Sequence, residues 1–424
     1  MKNFINKILS RFHNLDYVSQ NIKKLTEKSS ANKIFKIINS YSNESEIRYV
    51  GGCIRKIINN EKVDDIDLAT NLNPEQVCEA LEKGKINFYK TGIDHGTITA
   101  IINENKFEIT SLRNDISSDG RHAKVKFSRN WKDDASRRDF TINSIYSDQE
   151  GNLFDPYDGK KDLEKGLINF IGDTDKRIKE DYLRILRYIR FFLDYSKQTH
   201  SLETFRKLKQ NIHGISKLSK ERLLDELKKL SKLETLEKLS KDKLSLEIIL
   251  LIFPELKNIH FFSKLSFEKK NILKKSDFIF LLCLMIIDTS DNTDYFLYKF
   301  NISKKDQKRI KIIDDFYKEK VGSKSFTKNN INKIFYFYGK EAVLDILNFR
   351  IISSKKLENS LIELSDFYRK KEKPVLPIKA ELLITKYRIP KGKELGVKLK
   401  IIEEEWVRNN FQITDKQIDN IISN

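Results

Sequence analysis

Along the first part of the chain, apolar and polar positions change over in short runs broken by Gly, Asn and Asp, a pattern of strands and turns. "IRYVGG" (47–52) predicts a strand ending in a Gly turn, and "CIRKIINN" (53–60) the start of a helix. "DDIDLAT" (64–70) predicts a second strand. "NPEQVCEALEKG" (73–84) predicts a helix that begins after an Asn cap. "GTITAIINENKFEITSL" (96–112) predicts two strands joined by an Asn-Glu-Asn turn. A small α/β domain is expected from about residue 47 to 172.

After residue 175 the pattern becomes helical, with scarce Gly and Pro, as in "EDYLRILRYIRFFLDY", "SKERLLDELKKLSKLETLEKL" and "GKEAVLDILNFRIISSKKLENSLIELSDFYRKK". "KEKPVLPIK" (371–379) is the best linker candidate, because its prolines interrupt a helical stretch. The longest apolar run, "FIFLLCLMII" (278–287), is too short to cross a bilayer and predicts a buried helix, so no membrane partner is expected. The basic, amphipathic start, "MKNFINKILSRFHNLDYVSQNIKKL", suits an ordinary first helix; an organellar targeting peptide or a membrane-surface helix has the same pattern.

Composition adds a partner class. The 424 residues carry 80 Lys+Arg against 61 Asp+Glu, a formal net charge of +19. That balance points to a polyanion, nucleic acid or a membrane surface, although richness in Lys, Asn and Ile throughout is also what an A+T-rich coding sequence gives. Cys53, Cys78 and Cys283 lie far apart with no C-x-x-C pair, which excludes a disulfide framework and a zinc site and suits a reducing compartment.

Against this charge, Asp64, Asp65 and Asp67 stand out beside apolar residues. On a strand, residues two apart share a face, so Asp65 and Asp67 project together while Ile66 and Leu68 turn to the core. Neighbouring carboxylates repel, and a hard divalent ion resolves this: Mg²⁺ is held by one or two carboxylates plus substrate phosphates. A solvated acidic strand end or a set of helix caps is the alternative. Three nearby features favour the metal. The Gly-Gly turn of "VGGCIR" allows backbone N–H groups to approach phosphates, with Arg55 in the following helix, though a plain tight turn has the same sequence. In "KFEITSL", Glu108 faces away from Phe107 and Ile109, as a third carboxylate or a surface acid. "ASRRDFTINS" places Arg137, Arg138 and Asp139 together, as nucleotide contacts or a salt-bridged helix end.

"VGGCIR", "DDIDLAT", "DHGTI", "FEITSLR", "SDGRHA", "RRDFTINS", "FDPYDG" and "KEDYLRILRYIRF" occur in one order. In that order they resemble class II tRNA nucleotidyltransferases, the CCA-adding enzymes, of which bacterial poly(A) polymerases are close relatives. "SDGRHAKVKFSRNWKDDASRRDF" looks most like the alphaproteobacterial and mitochondrial branch. The resemblance is close from residue 48 to about 195 and returns in "LPIKAELLITKYRIPKGKELGVKLKIIEEEWV" near the C-terminus.

The resemblance implies an α+β protein: a polymerase-β-like nucleotidyltransferase head followed by all-α neck, body and tail domains. The expected divisions are an N-terminal helical segment at 1–46, head at 47–175, neck at 176–240, body at 241–370 and tRNA-binding tail at 371–424. It further implies Mg²⁺ on Asp65 and Asp67, with Glu108 as a further acid at the catalytic site. Gly52, Arg55 and Arg138 would contact the nucleotide, and Asp139 and Asn143 the ribose end. The implied activity is template-independent addition of C, C and A to tRNA lacking its 3′ CCA, using CTP and ATP. The implied compartment is bacterial cytoplasm, or the mitochondrion for a eukaryotic chain. The rivals are a poly(A) polymerase with the same site and a non-catalytic RNA-binding protein on the same fold. Two departures stand in the sequence: Lys56 replaces the Asp usual after the Gly-Gly-x-x-Arg turn, and the tail reads "IKAELL" where a small-residue and Asp pattern is usual.

"EDYLRILRYIR" suggests how bases could be chosen without a template. On one helix Asp181 and Arg184 would be neighbours at i,i+3, with Arg187 and Arg190 further along; an Asp–Arg surface pair is the plainer reading. Cytosine and adenine both present an amino donor beside a ring-nitrogen acceptor, which a carboxylate and a guanidinium match. Uracil and guanine present the opposite polarity and would leave both groups unpaired. The resemblance assigns this selecting role to Asp181 and Arg184, and places Arg187 and Arg190 nearer the sugar and phosphates. "RNDISSDGRHAKVKF" (113–127), polar and Gly-containing, is expected to be a mobile loop, which in the family takes part in switching from C to A addition.

Overall fold

The strands are β1 (Ile47–Val50), β2 (Ile66–Thr70), β3 (Asn87–Gly92), β4 (Thr97–Ile102), β5 (Asn105–Ser111), β6 (Arg113–Ser118), β7 (Ala123–Phe127), β8 (Tyr146–Ser147) and β9 (Leu153–Phe154). They come from a computed structural model that describes residues 17–118, 123–319, 326–356 and 358–423. Seven of them form one sheet in the order β3-β4-β5-β2-β1-β8-β9. β2 and β5 run parallel, and the other neighbours are antiparallel.

Alternation along the strands divides the sheet's two faces. Leu68, Ile98, Ala100, Phe107 and Ile109 are buried in one apolar cluster with Ile34, Phe35 and Ile38 of the helix Ala31–Asn39 and Val77 and Leu81 of the helix Pro74–Lys83. Burying each such large side chain contributes roughly 1.5–3 kcal/mol. Asp67 and Glu108 occupy the intervening positions, on the opposite face. The helix Pro74–Lys83 starts as its sequence predicts: Asn73 accepts from the Gln76 amide at 2.8 Å, and the Gln76 side chain accepts from the Asn73 amide at 3.1 Å. Between β4 and β5 the turn is two residues, Asn103 (φ 48) and Glu104 (φ 66). Positive φ at both positions is what a tight hairpin between twisted strands requires.

Within the stretch 113–127, where a loop is expected, residues 113–118 and 123–127 form a two-stranded ribbon, and 119–122 lie outside the described residues. β6 and β7 pair antiparallel, from Arg113 opposite Phe127 to Ser118 opposite Ala123. β7, "AKVKF", does alternate apolar and polar positions, but β6, "RNDISS", is polar and carries no such pattern, and it hides the ribbon. Residues 1–16, which carry most of the basic N-terminal stretch, lie outside the described residues; 17–29 are helical.

The chain divides into two compact units, Met1–Lys229 with Glu247–Ile252, and Leu230–Leu246 with Phe253–Asn424. The first holds the sheet and the helices Thr174–Glu180 and Leu183–Tyr195. The second is helical in its described residues. There Phe278–Ile286 is a helix with seven of its nine residues buried, and Lys328–Ser353 bends at Gly339 (φ 88). Irregular backbone at 371–379 precedes the helix Ala380–Tyr387. No helix among the described residues is long and apolar enough to cross a membrane.

Candidate active site

The site begins where β1 stops. The chain turns at Gly51 (φ 69), a conformation that favours glycine, and enters the short helix Gly52–Ile58. Space around the turn is shared with charged groups. A Cβ at Gly51 would lie 3.5 Å from Arg138 Nη1, and one at Gly52 would lie 3.9 Å from Asp67 Oδ2 and 4.0 Å from Arg55 Nη2. One carboxylate and two guanidinium groups therefore converge on the backbone of this turn.

Asp67 is half-buried on β2 and stands directly opposite Glu108 of the parallel strand β5. Asp65 is exposed, one residue before β2 begins. The Asp67 carboxyl titrates above the usual value of 3.8: burial and the charge of Glu108 push it up, Asp65 adds to this, and Arg138 and Arg55 pull the other way. The acids still outweigh the arginines. The donors are all hard carboxylate oxygens, and among the described residues no group of three or more His, Cys, Asp or Glu is gathered closely enough to hold a metal by itself. Such a set suits Mg²⁺, which takes one or two carboxylates and completes its shell with water and substrate phosphates. Asp65 and Asp67 are the residues that would hold it; Glu108 lies beside Asp67 and adds negative charge.

Behind the turn runs a chain of polar contacts. Arg55 donates to Asn143 Oδ1, Asn143 Nδ2 donates to Asp139 Oδ1 at 2.8 Å, and Arg187 Nε donates to Asp139 Oδ2 at 2.7 Å. Arg55, Arg187 and Arg190 also lie over one buried ring, Phe191, at 4.7, 5.5 and 4.1 Å from its centroid. Cation–π contacts of this kind contribute about 0.5–2 kcal/mol each. Asp139 is buried, which raises its carboxyl, but Arg187, Asn143 and Arg184 more than offset this and hold it well below 3.8. Its ionised form is therefore favoured by folding, and the stabilisation is lost as the pH falls below about 3.8 toward the folded value. Asp139→Asn is expected to cost about 3 kcal/mol at neutral pH by leaving Arg187 without its counter-charge. Thermal melts across pH should show the deficit against wild type narrowing below pH 4, and an unchanged melting temperature at pH 7 would count against the pairing.

The segment around Asp181 corrects one expectation. Asp181 is not on the helix with Arg184: its backbone is extended, and the helix runs Leu183–Tyr195. The reason is local, because Asp181 Oδ1 accepts from the Leu183 amide at 3.1 Å and so caps the helix in place of extending it. Its other oxygen accepts from Arg222 Nη2 at 2.8 Å. Arg184 donates to Glu180 Oε2 and to the carbonyl of Arg177, both at 2.7 Å, and Arg190 pairs with the buried Glu226 at 2.5 Å. Gly52, Arg55, Asp67, Glu108, Arg138, Asp139, Asn143 and Arg187 are thus gathered around the turn, while Asp181, Arg184 and Arg190 are tied to Arg222, Glu180 and Glu226. Glu180 adjoins Asp181 in sequence; nothing local marks Arg222 or Glu226.

Residues 47–169 match the Poly A polymerase head domain family. The chain is 44% identical over 188 residues to human CCA tRNA nucleotidyltransferase 1, mitochondrial, a match covering 44% of this chain and 43% of that protein. It therefore spans less than half the length of that relative. It is 32% identical over 307 residues to the CCA-adding enzyme of Staphylococcus haemolyticus, covering 71% of this chain and 72% of that one. This chain belongs to the class II CCA-adding enzyme family. Solved structures of family members share its α+β fold. The Bacillus stearothermophilus CCA-adding enzyme in complex with CTP aligns with a TM-score of 0.69 at 20% identity, over 93% of this chain and 97% of that one. The Thermotoga maritima CCA-adding enzyme complexed with tRNA_CCA aligns with a TM-score of 0.62 at 18% identity, over 95% and 98%.

Within the class II CCA-adding family, Lys56 is the departure nearest the site. Its ammonium donates to Asp64 Oδ2 at 3.0 Å, on the acidic segment itself. Asn143 accepts from Arg55 and the rings of Phe191 and Tyr195 lie beneath its guanidinium, while among the described residues its buried Nε has no hydrogen-bond partner.

Proposed function

We propose that this chain adds C, C and A to the 3′ end of tRNA lacking that terminus, with CTP and ATP as substrates and pyrophosphate as the leaving group. The observation that carries the reading is the convergence of Asp67, Arg55 and Arg138 on the backbone at Gly51 and Gly52. A carboxylate is placed for a cation, and two guanidinium groups for phosphates, on one turn. In the reaction the terminal 3′-hydroxyl attacks the α-phosphate, and the bond to the β-phosphate breaks. Asp65 and Asp67 would hold Mg²⁺, which when bound would supply positive charge to lower the hydroxyl's pKa and to neutralise the departing phosphates. Gly52 permits close approach of the triphosphate, and Arg55 and Arg138 neutralise it. Asn143 and Asp139 fix Arg55 and Arg187 and support the ribose end. Asp181 and Arg184 read the base edge, with Arg187 and Arg190 nearer the sugar and phosphates. Glu108 sharpens the demand of Asp67 for a cation.

The net charge of +19 suits grip on the tRNA backbone. The compartment is the bacterial cytoplasm or the mitochondrion, as the range of relatives suggests. A second reading, poly(A) polymerase, is favoured by the match of residues 47–169. One assay separates the two: full-length protein, tRNA without its terminus, and each nucleoside triphosphate offered alone and together. The expected result is incorporation of C from CTP alone and of a single A only after both C residues. A long A tail from ATP alone on an RNA primer would overturn the CCA reading in favour of the second.

A further inference from the structure

Arg138 cannot aim itself. It leaves the end of the helix Trp131–Ser136 beside Arg137, and two adjacent guanidinium groups repel. Both converge on Asp134, which is 1% exposed. Arg137 donates to Asp134 Oδ1 through Nε at 2.8 Å and Nη2 at 2.5 Å. Arg138 donates to Oδ2 through Nε at 3.2 Å and Nη2 at 3.1 Å. Tyr146 completes the set: its hydroxyl donates to Asp134 Oδ2 at 2.7 Å and accepts from Arg138 Nε at 2.9 Å. With Nε and Nη2 of Arg138 engaged there, Nη1 lies over the Gly51 turn, 3.5 Å from a Cβ built at that glycine, where it also makes a long, 3.5 Å contact to the Asn143 carbonyl. The backbone of the two arginines is held as well, since Arg177 donates to the carbonyls of both Arg137 and Arg138 and Arg184 to that of Arg137 at 3.3 Å.

We infer that Asp134, with Tyr146, is a positioning residue for the incoming triphosphate: it takes one edge of the Arg138 guanidinium so that the other faces the Gly51 turn. This rests on the proposed nucleotidyl transfer. A fork held on two donors has little freedom to rotate, so its Nη1, held only by the long contact to the Asn143 carbonyl, meets a phosphate over the turn without further ordering. Asp134 is buried, which raises its carboxyl, but Arg138 and Arg137 outweigh this and hold it at about 2, so it stays charged at every working pH.

The test compares the full-length chain with Asp134→Asn and Tyr146→Phe in single-nucleotide incorporation, measuring KM for CTP, KM for ATP, KM for tRNA and kcat separately. Hydrogen bonds to charged groups are strong enough that Asp134→Asn should raise KM for both nucleotides about tenfold or more. KM for tRNA should stay within about twofold, and Tyr146→Phe should raise the nucleotide KM values about threefold. A purely structural role would lower the melting temperature and the active fraction while leaving nucleotide KM at the wild-type value, and that result overturns the inference. Should Asp134→Asn fail to fold, Tyr146→Phe decides by the same readout. Failure of the wild-type chain to incorporate either nucleotide would instead sink the functional reading itself.

Discussion

Asp67→Asn should fold normally and incorporate no measurable nucleotide. The carboxylate sits half-buried between Glu108 and Asp65, and its nearest cationic neighbours, Arg55 and Arg138, do not offset the burial and the acids. Removing the charge takes away one of two carboxylates suited to Mg²⁺, so the rate should fall by about a thousandfold or more, the scale set by losing one group that stabilises charge in a transition state. Stability should move the other way. A carboxyl whose folded pKa is raised contributes stability below its unfolded value, near 3.8, and that contribution is lost as the pH rises through the folded value. At pH 7 wild-type Asp67 is therefore a cost to the fold that Asn removes. The melting temperature of Asp67→Asn should equal or exceed that of wild type at pH 7, and the difference should close below pH 4. Mg²⁺ with CTP should raise the wild-type melting temperature and leave that of the variant unmoved. Asp65→Ala should lose incorporation in the same way. Wild-type rates from either variant would refute the metal assignment.

The parts of this site readable in the sequence are those set by short-range geometry. Strand alternation places Asp67 and Glu108 away from the core because Leu68, Phe107 and Ile109 must enter it. The parallel pairing that puts Asp67 opposite Glu108 spans 41 residues and follows from no local pattern, although each strand is visible alone. Asp134 was within reach: on a helix it precedes Arg137 and Arg138 by three and four residues, the spacing of side-chain neighbours. The Arg-Arg pair is the stronger signal in the sequence, because paired arginines suit phosphates, and their shared anchor Asp134 carries no such marker of its own.

Other features were hidden for definite reasons. A caps-or-continues choice at Asp181 turns on whether its side chain bonds the Leu183 amide, and helical periodicity carries on through "EDYLRILRYIR" in either case. In the β6–β7 ribbon only β7, "AKVKF", alternates, and the polar "RNDISS" of β6 makes the composition suggest a loop. Phe191 continues the apolar run of its helix and looks like core, yet its ring carries Arg55, Arg187 and Arg190. Only the folded chain shows that the ring joins Arg55 of the helix Gly52–Ile58 to Arg187 and Arg190 of the helix Leu183–Tyr195.

Arg184→Ala should collapse base choice more than it slows the enzyme overall. The guanidinium is largely enclosed, with 11% of the side chain exposed, and it is fixed by Glu180 and by the carbonyls of Arg177 and Arg137. If Arg184 reads the base edge as proposed, a donor held this firmly cannot turn away from a base that offers it an N–H, and uracil would be rejected by an unpaired, desolvated polar group. Sites built in this way discriminate by about 10⁴–10⁵. Without the guanidinium, CTP loses a hydrogen bond while UTP loses a clash. The ratio of kcat/KM for CTP over UTP should therefore fall by at least about a hundredfold, measured on tRNA ending before the first C. Arg184 also braces the backbone beside Arg138, so some loss common to all nucleotides is expected, but a shared loss leaves the ratio untouched. The ratio isolates base reading from bracing. An unchanged CTP/UTP ratio with a lowered kcat would show that Arg184 supports the site without reading the base, and would leave selection to Asp181 and the Arg222 that holds it.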